Sequence, residues 1–518
     1  MHSLDDTAAY QVITARDARF DGRLFVGVTS TGIYCRPICR VRTPRARNCR
    51  FFATPAQAEA ASFRPCMKCR PELAPAANDY AWSVMDASRT LARQAAQALD
   101  EQAASGDAKS LADVAEHLGV SDRHLRRIFQ TEHGVTPLQY LQTRRLLLAK
   151  QLLTDTRLPV AQVALASGFN SLRRFNAAFV DSYRMSPSRL RGEVEFAPLE
   201  GDSAVTIKLA YRAPYDTASM LRFLTQRAVP EVEAVDGLRV RRSLRAGAIT
   251  PMAGWLEIEF ATNAPVVHVR FAPPLAPASG RVVAAVRRWL DLDATPETID
   301  TALASLPGAP GLRLPGSADA FEMAVRAVLG QQVTVAGART LAKRLVERFG
   351  ETIATPWDDV TRCFPSPEVL ASMPIERIAE LGIIRTRAAA IIAIAQAWNE
   401  VAALLATHAR PEPLIERLCA IKGVGPWTAH YLAMRALGWP DAFPPNDVAV
   451  LKAMNQLFGI DSQREADVHA QTWQPWRAYG VLRLWNSLEP PGRPNATALP
   501  RVVPRKAAGG KHQLEKTA

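Results

Sequence analysis

Cysteine is scarce in this chain, seven among 518 residues, and acidic side chains are outnumbered by basic ones, 50 against 63. So few thiols over such a length exclude a secreted scaffold held by disulfides and point to a reducing cytoplasm. Long hydrophobic runs are missing too. The most apolar stretch, Ala388 to Trp398, is too short to span a bilayer and leads into Asn399 and Glu400, so it reads as a buried helix. The first residues, Met-His-Ser-Leu-Asp-Asp, have no basic segment followed by an apolar one, and no signal peptide is expected. What is present is a normal globular balance, 48% apolar and 22% charged, with a net charge of +13. A chain this long exceeds one core and should divide into three or four domains. Its basic excess, with a pI near 9.7, favours a polyanionic partner, and nucleic acid is the default.

Four of the seven cysteines form two close pairs, Cys35-x3-Cys39 and Cys66-x2-Cys69. Two pairs separated by a span long enough to fold back can place four sulfurs around one Zn²⁺. Arg36, Arg40, Arg42, Arg45, Arg47 and Arg50 follow with no acidic residue among them, as if the sulfurs sat where a phosphate backbone arrives. Cys49, Cys363 and Cys419 are scattered and read as packing thiols. The stretches Tyr34-Cys35-Arg36-Pro37-x-Cys39 and Phe63-Arg64-Pro65-Cys66-x-x-Cys69 resemble the N-terminal domain of the Ada-type adaptive-response proteins. The resemblance implies that Cys35 takes a methyl group from a DNA methylphosphotriester while Cys39, Cys66 and Cys69 hold the metal. The arginine cluster is expected to turn Arg36, Arg40, Arg45 and Arg47 toward DNA. Four thiolates on Zn²⁺ carry about −2, and methylation of one makes that about −1, which removes a repulsion and should tighten DNA binding.

Further on the chain repeats itself. Ser121 matches Ser171, Phe129 matches Phe179 and Thr136-Pro137 matches Ser186-Pro187, an offset of 50. Each copy has a short helix, a turn at Gly119 or Gly168, and a second helix capped by Ser121 in one copy and by Asn170 or Ser171 in the other. Two helix-turn-helix units result, bridged by a helix over Leu138 to Leu153 and preceded by a helical stretch from Asp79 to Asp100. Arg123, Arg126, Arg173 and Arg174, with Arg127, lie near the N-terminal ends of the second helices, where groove-reading side chains sit. His117, His124 and His133 lack the spacing of a metal site and read as solvent-facing or packed. Pro159-Val-Ala-Gln-Val-Ala-x-x-Ser-Gly168-Phe-x-Ser171 resembles the AraC family of transcription regulators, which implies sequence-specific DNA binding.

Residues 196–203 have linker composition. Strand-like alternation follows at Val205 to Leu209, Leu238 to Leu244, Leu256 to Phe260 and Val266 to Phe271, with a helix over Tyr215 to Ala228. From Val282 the pattern is helical. Its decisive stretch is Leu418-Cys-Ala-Ile-Lys422-Gly423-Val-Gly425-Pro-Trp427-Thr-Ala-His-Tyr431, followed by Asn446-Asp447 before a helix over Val448 to Leu457. Gly423 and Gly425 allow a tight turn that leaves the next helix's N–H groups bare for a phosphate. Hairpin plus aspartate resembles the helix-hairpin-helix DNA glycosylases, and Phe321 to Gln332, Trp427, Asp447 and Trp473-x-x-Trp476 narrow this to 3-methyladenine DNA glycosylase II. The resemblance implies that Asp447 is catalytic and that Trp427, Tyr431 and Trp485 surround a flipped base. Strand-cutting members carry a lysine directly after the hairpin; Trp427 stands there, so a monofunctional enzyme is expected. The best-known relative has a leucine wedge where this chain has Gln332.

The expected fold is therefore multidomain α+β. It comprises a zinc-bound methyl-acceptor module (1–78), an all-α tandem helix-turn-helix unit (79–195), an antiparallel α+β domain (204–285), an all-α glycosylase domain (286–489) and a disordered basic tail (490–518). The expected function is a DNA alkylation repair protein and transcription activator. It would use one Zn²⁺ and double-stranded DNA, engage RNA polymerase, have no membrane partner, and act as a monomer in the cytoplasm with the nucleoid. The rival expectation is an AraC-type regulator whose C-terminal half binds damaged DNA without catalysis. Nothing resembles the Pro-Cys-His-Arg site of the O6-methylguanine transferases, and that activity is expected to be absent.

Overall fold

The computed structural model describes residues 4–76, 87–105, 110–192, 204–246, 251–406 and 411–488. The expected linker at 196–203, the tail at 490–518 and the 79–86 end of the helical stretch lie outside the described residues.

The N-terminal module is built on a small sheet in which Phe25–Val28 is flanked by Cys49–Phe52 and Ile33–Cys35, and Ile33–Cys35 pairs in parallel with Arg64–Pro65. Cys35 ends one strand and Cys66 follows the next, so the parallel pairing of Tyr34 with Pro65 brings the two thiol pairs together. Tyr34 and Phe25 fill the opposite face, edge to face.

The repeat is two helix pairs, Leu111–His117 with Asp122–His133 and Val160–Ala166 with Leu172–Tyr183, joined by the long helix Pro137–Asp155. Gly119 and Gly168 turn with φ of 69° and 78°, the left-handed region that glycine enters without strain. Ser121 and Ser171, rather than Asn170, cap the second helices by accepting from the N–H of His124 and of Arg174. Leu125 and Phe129 in one copy, Phe175 and Phe179 in the other, face inward at helical spacing.

The sheet that follows runs Val205–Ala210, Val266–Phe271, Met252–Phe260, Arg239–Ala246, Glu233–Asp236 in spatial order, all antiparallel. The edge strand Glu233–Asp236 escaped the sequence reading. Thr217–Arg227 supplies the expected helix. The apolar run of the sequence forms Arg385–Gln396, whose Ala388, Ile391 and Ile394 are buried in the second core. Among the described residues no single helix is long and apolar enough to cross a membrane.

The modules pack against one another. One apolar core joins Leu146, Phe175 and Phe179 of the helical repeat to Ile207, Val269 and Phe271 of the sheet. The cysteine module meets the long helix through buried ions: Lys150 pairs with Glu72 at 2.5 Å, and Arg70, the residue after Cys69, spans Glu72 and Asp155. Arg212 ties the module to the C-terminal half, donating to the carbonyls of Asp21 (3.1 Å), Ala76 (2.7 Å) and Asp293 (2.7 Å) and, at longer range, to those of Pro75 and Ala294. A cavity of about 800 Å³ lies in this junction, lined by Gln57, Arg93, Asp100, Arg144, Arg287 and Asp293 among others, and neither Asp447 nor Cys35 lines it.

Candidate functional site

The sulfurs of Cys35, Cys39, Cys66 and Cys69 lie within 4.8 Å of one another, and none forms a disulfide. Four thiols crowded this closely, three of them buried, fit a soft divalent cation held by thiolates, and zinc satisfies that donor set. Their proton affinities are pulled apart. Hydrogen bonding with Cys39 and then Cys66 drives the Cys35 thiol far up, and the bond with Cys35 drives Cys66 down. Backbone N–H groups of Val41, Cys69 and Arg36 are directed at Cys39, Cys66 and Cys69 respectively. Among the described residues no backbone N–H is found on Cys35, whose hydrogen bonds are to the other three sulfurs.

The surrounding arginines divide. Arg40, Arg42, Arg45, Arg47 and Arg50 are exposed. Arg36 is not: it is 6% exposed, its guanidinium gripped by the Asp21 carboxylate with Nε to Oδ1 at 2.8 Å, and Nη1 donates to the Cys69 carbonyl at 3.2 Å. The sequence placed Arg36 toward DNA; the structure corrects this, because a buried, paired guanidinium cannot reach a phosphate. Arg36 instead knits the two thiol pairs together.

In the helical repeat Arg123, Arg126, Arg173 and Arg174 are exposed at the starts of the second helices, with Arg126 paired to Asp122 one turn earlier. His117 is exposed, and His124 Nδ1 lies 3.1 Å from Arg127. His133 packs between Phe129 and Tyr140 with Nε2 on the Ala92 carbonyl, which accounts for it as a structural residue.

The second constellation lies at the hairpin between Pro411–Cys419 and Pro426–Leu432. Gly423 has φ of 93° and a Cβ there would stand 2.7 Å from that of Ala390, whereas a Cβ on Gly425 would meet open space. Beyond the hairpin Asp447, 6% exposed, caps the helix Val448–Phe458 by accepting from the Val450 N–H at 2.9 Å. The same carboxylate accepts from two indoles, Trp427 Nε1 on Oδ2 at 2.8 Å and Trp485 Nε1 on Oδ1 at 3.2 Å. Trp427 stacks on Tyr431, rings 5.0 Å apart and 11° from parallel, and Trp485 tilts across Tyr431 at 6.2 Å. The structure thus gathers Asp447, Trp427, Tyr431 and Trp485 from three separate segments into one half-open site.

Gln332 is exposed with φ of 53°, in the left-handed region that residues other than glycine seldom occupy, and exposed Val333 follows it. Its neighbour Gln331, given no role from the sequence, donates to the Gly423 carbonyl and to Thr428 Oγ1, both at 3.0 Å, and so locks this loop to the hairpin. Arg435 was also missed. It lies one helical turn beyond Tyr431, a spacing visible in the sequence, but its partners Pro315 and Gly316 are not.

Comparison with known proteins matches four successive stretches of the chain to known families. Residues 8–72 match the metal binding domain of Ada, 114–193 a helix-turn-helix domain, 206–319 the AlkA N-terminal domain and 325–478 the HhH-GPD superfamily of base excision DNA repair proteins. A probable bifunctional transcriptional activator/DNA repair enzyme AlkA of Mycobacterium tuberculosis is 37% identical over 507 residues, covering 95% of this chain and 98% of that protein. DNA-3-methyladenine glycosylase 2 of Escherichia coli is 34% identical over 280 residues, 54% of this chain and 95% of the relative. The bifunctional transcriptional activator/DNA repair enzyme Ada of E. coli is 34% identical over 142 residues, 27% of this chain and 37% of the relative. A metal-binding cysteine domain, a helix-turn-helix domain and a base excision repair domain thus occur in one polypeptide, and the chain belongs to the family of bifunctional Ada/AlkA-type transcriptional activators and DNA repair glycosylases.

Proposed function

We propose that the C-terminal half excises alkylated bases such as 3-methyladenine by hydrolysis, without cutting the strand. The observation that carries this is the Asp447 carboxylate, held by the Trp427 and Trp485 indoles beside an aromatic stack. A base methylated on a ring nitrogen is already cationic and leaves readily, so the site must mainly stabilise positive charge developing on the sugar. A fixed carboxylate shielded from bulk water does that without reorganising. The nucleotide leaves the stack at a cost of a few kcal/mol, and aromatic faces receive the electron-poor base. Exposed Gln332 is the candidate to fill the gap left in the helix, and the hairpin around Gly423 and Gly425 is the candidate phosphate grip.

The N-terminal module is the sensor, with Cys35 as methyl acceptor. Cys35, Cys39, Cys66 and Cys69 would hold one zinc ion, which when bound keeps the sulfurs deprotonated. The Cys35 sulfur attacks the methyl carbon of a methylphosphotriester as the methyl–oxygen bond breaks, and the phosphodiester anion leaves with the bonding electrons. Hydrogen bonds from N–H groups to Cys39, Cys66 and Cys69 draw electron density from those sulfurs, which supports Cys35 as the nucleophile. The loss of one negative charge then favours DNA at Arg40, Arg45 and Arg47. Arg123, Arg126, Arg173 and Arg174 would read successive major-groove faces, and activation would recruit RNA polymerase.

Release of free base from methylated duplex by the wild type, with a loss of roughly 10²-fold or more in Asp447→Asn, is the expected result. Base release by neither would leave a damage-binding module without catalysis, and equal release by both would remove Asp447 from the mechanism. Strand breaks formed without heat or alkali would refute the monofunctional assignment. For the sensor, mass spectrometry after exposure to methylphosphotriester DNA should place one methyl on Cys35; finding it on Cys69 would reverse the roles.

A further inference from the structure

Arg435 lies behind the aromatic stack in a stretch, Ala433–Leu437, where the helix widens into a π-turn. There the Trp439 N–H reaches back to the Ala433 carbonyl at 2.9 Å. Such widenings re-aim side chains and gather at functional sites. Arg435 is 5% exposed, and its guanidinium donates from Nε to the Pro315 carbonyl, from Nη2 to Gly316 O at 3.2 Å, and from Nη1 to Tyr431 Oη at 2.7 Å. It also covers the Phe223 ring at 4.6 Å and lies 5.5 Å from the Tyr431 ring. Among the described residues no carboxylate lies within ion-pairing distance of it. Burial lowers its pKa to about 10, which leaves it charged at neutral pH.

A buried cation held by carbonyls and a phenol is a poor way to stabilise a core, since an apolar side chain of similar volume fills the space without desolvating a charge. Its two consequences fall on the base site. The bond to Oη fixes the Tyr431 ring in its stack, and it occupies an acceptor position on the phenol, so that the hydroxyl proton turns away from the guanidinium. An O–H that accepts from a cation is itself a stronger donor. Excision of a cationic base needs no such donor, because that base departs neutral. A neutral damaged base is different. When its bond to C1′ breaks, the electron pair stays on the base, and a hydrogen bond from Tyr431 to a ring acceptor supports that charge until water supplies a hydroxyl to the sugar and a proton to the base. A fixed positive charge behind Tyr431 also opposes a second cation in the pocket.

From this geometry we infer that Arg435, acting through the Tyr431 hydroxyl, is a positioning residue that extends excision to neutral damaged bases. The inference rests on the base-excision reading above.

The test compares single-turnover release of 7-methylguanine, a cationic base, and hypoxanthine, a neutral one, from duplex DNA by the full chain. Arg435→Gln should lose roughly tenfold or more on hypoxanthine, the range of one hydrogen bond to a charged group, and clearly less on 7-methylguanine. Tyr431→Phe should shift the ratio in the same direction, and the double variant should add little, because both remove one interaction. Arg435→Lys, which keeps a cation, should retain more hypoxanthine release than Arg435→Gln. Equal losses on both bases would make Arg435 a packing residue and overturn the inference. If Arg435→Gln does not fold, Tyr431→Phe decides alone: an unshifted ratio overturns it. Wild type that releases 7-methylguanine but not hypoxanthine would overturn this inference and leave base excision standing, whereas release of neither would overturn both.

Discussion

At the scale of single residues, the two glycines of the hairpin have different work to do. Gly423 holds φ of 93° with Ala390 pressed against the position a Cβ would take. Gly423→Ala is expected to destabilise the protein by about 1–3 kcal/mol, measurable by denaturant unfolding. Gly425 has ordinary backbone angles and open space beside it, so Gly425→Ala should leave stability within about 0.5 kcal/mol and act on DNA affinity alone. A stability loss in Gly425→Ala equal to that in Gly423→Ala would show that the hairpin glycines serve packing only. Arg36 teaches a related lesson. Its place among six arginines read as a phosphate contact, yet Asp21, fifteen residues earlier, closes it into an ion pair that no spacing rule reveals.

At the scale of elements, the long helix Pro137–Asp155 does more than bridge the two helix-turn-helix units. It carries Lys150 against Glu72 and Thr143 against Glu59, both from the cysteine module. Burial pushes the Glu59 carboxyl up to about 7, against hydrogen bonds from Thr143 and Tyr34 and the charge of Lys150 that favour its ionised form. A carboxyl raised in the folded state binds its proton more tightly there than in the unfolded chain. Stability therefore falls as pH rises from the unfolded value, about 4.5, to about 7, and the penalty is fully present above that. Glu59→Gln keeps an acceptor for one of the Tyr34 and Thr143 hydroxyls, turns an NH2 donor to the other, and removes the charge. It should raise stability at pH 8 by roughly 1–3 kcal/mol and flatten the decline between pH 4.5 and 7. Thermal melts across that range that run parallel for both proteins would refute it. The repeat itself was legible because an offset of 49 at the turn glycine and 50 beyond it preserves turn, caps and core positions together. The edge strand Glu233–Asp236 was not, because four residues with an acid at each end show no alternation.

At the scale of the molecule, the modules expected as separate domains share surfaces. Arg212 is the clearest joint, with carbonyls of the cysteine module and of the C-terminal half around one guanidinium, itself lowered by burial to about 10. Arg212→Ala would leave those carbonyls without their donor, a loss of about 2–4 kcal/mol at the junction. The expected outcome is an earlier unfolding step for the N-terminal module and faster proteolysis at the junction, with base release retained. A single transition at the wild-type midpoint would mean that the halves are merely tethered.

The chemistry of this protein was written in short windows. Two thiol pairs, a twice-given helix-turn-helix and a Gly-Val-Gly turn with a following aspartate are each set by local backbone geometry and side-chain period, which a sequence displays directly. The tertiary structure decided which charges are available and which are consumed. It paired Arg36 with Asp21, joined Asp447 to indoles 20 and 38 residues away, and brought Arg435 to carbonyls 119 and 120 residues distant. Such pairings follow from which polar groups must be satisfied once their surroundings exclude water, and that is a property of the packed chain, not of any window along it.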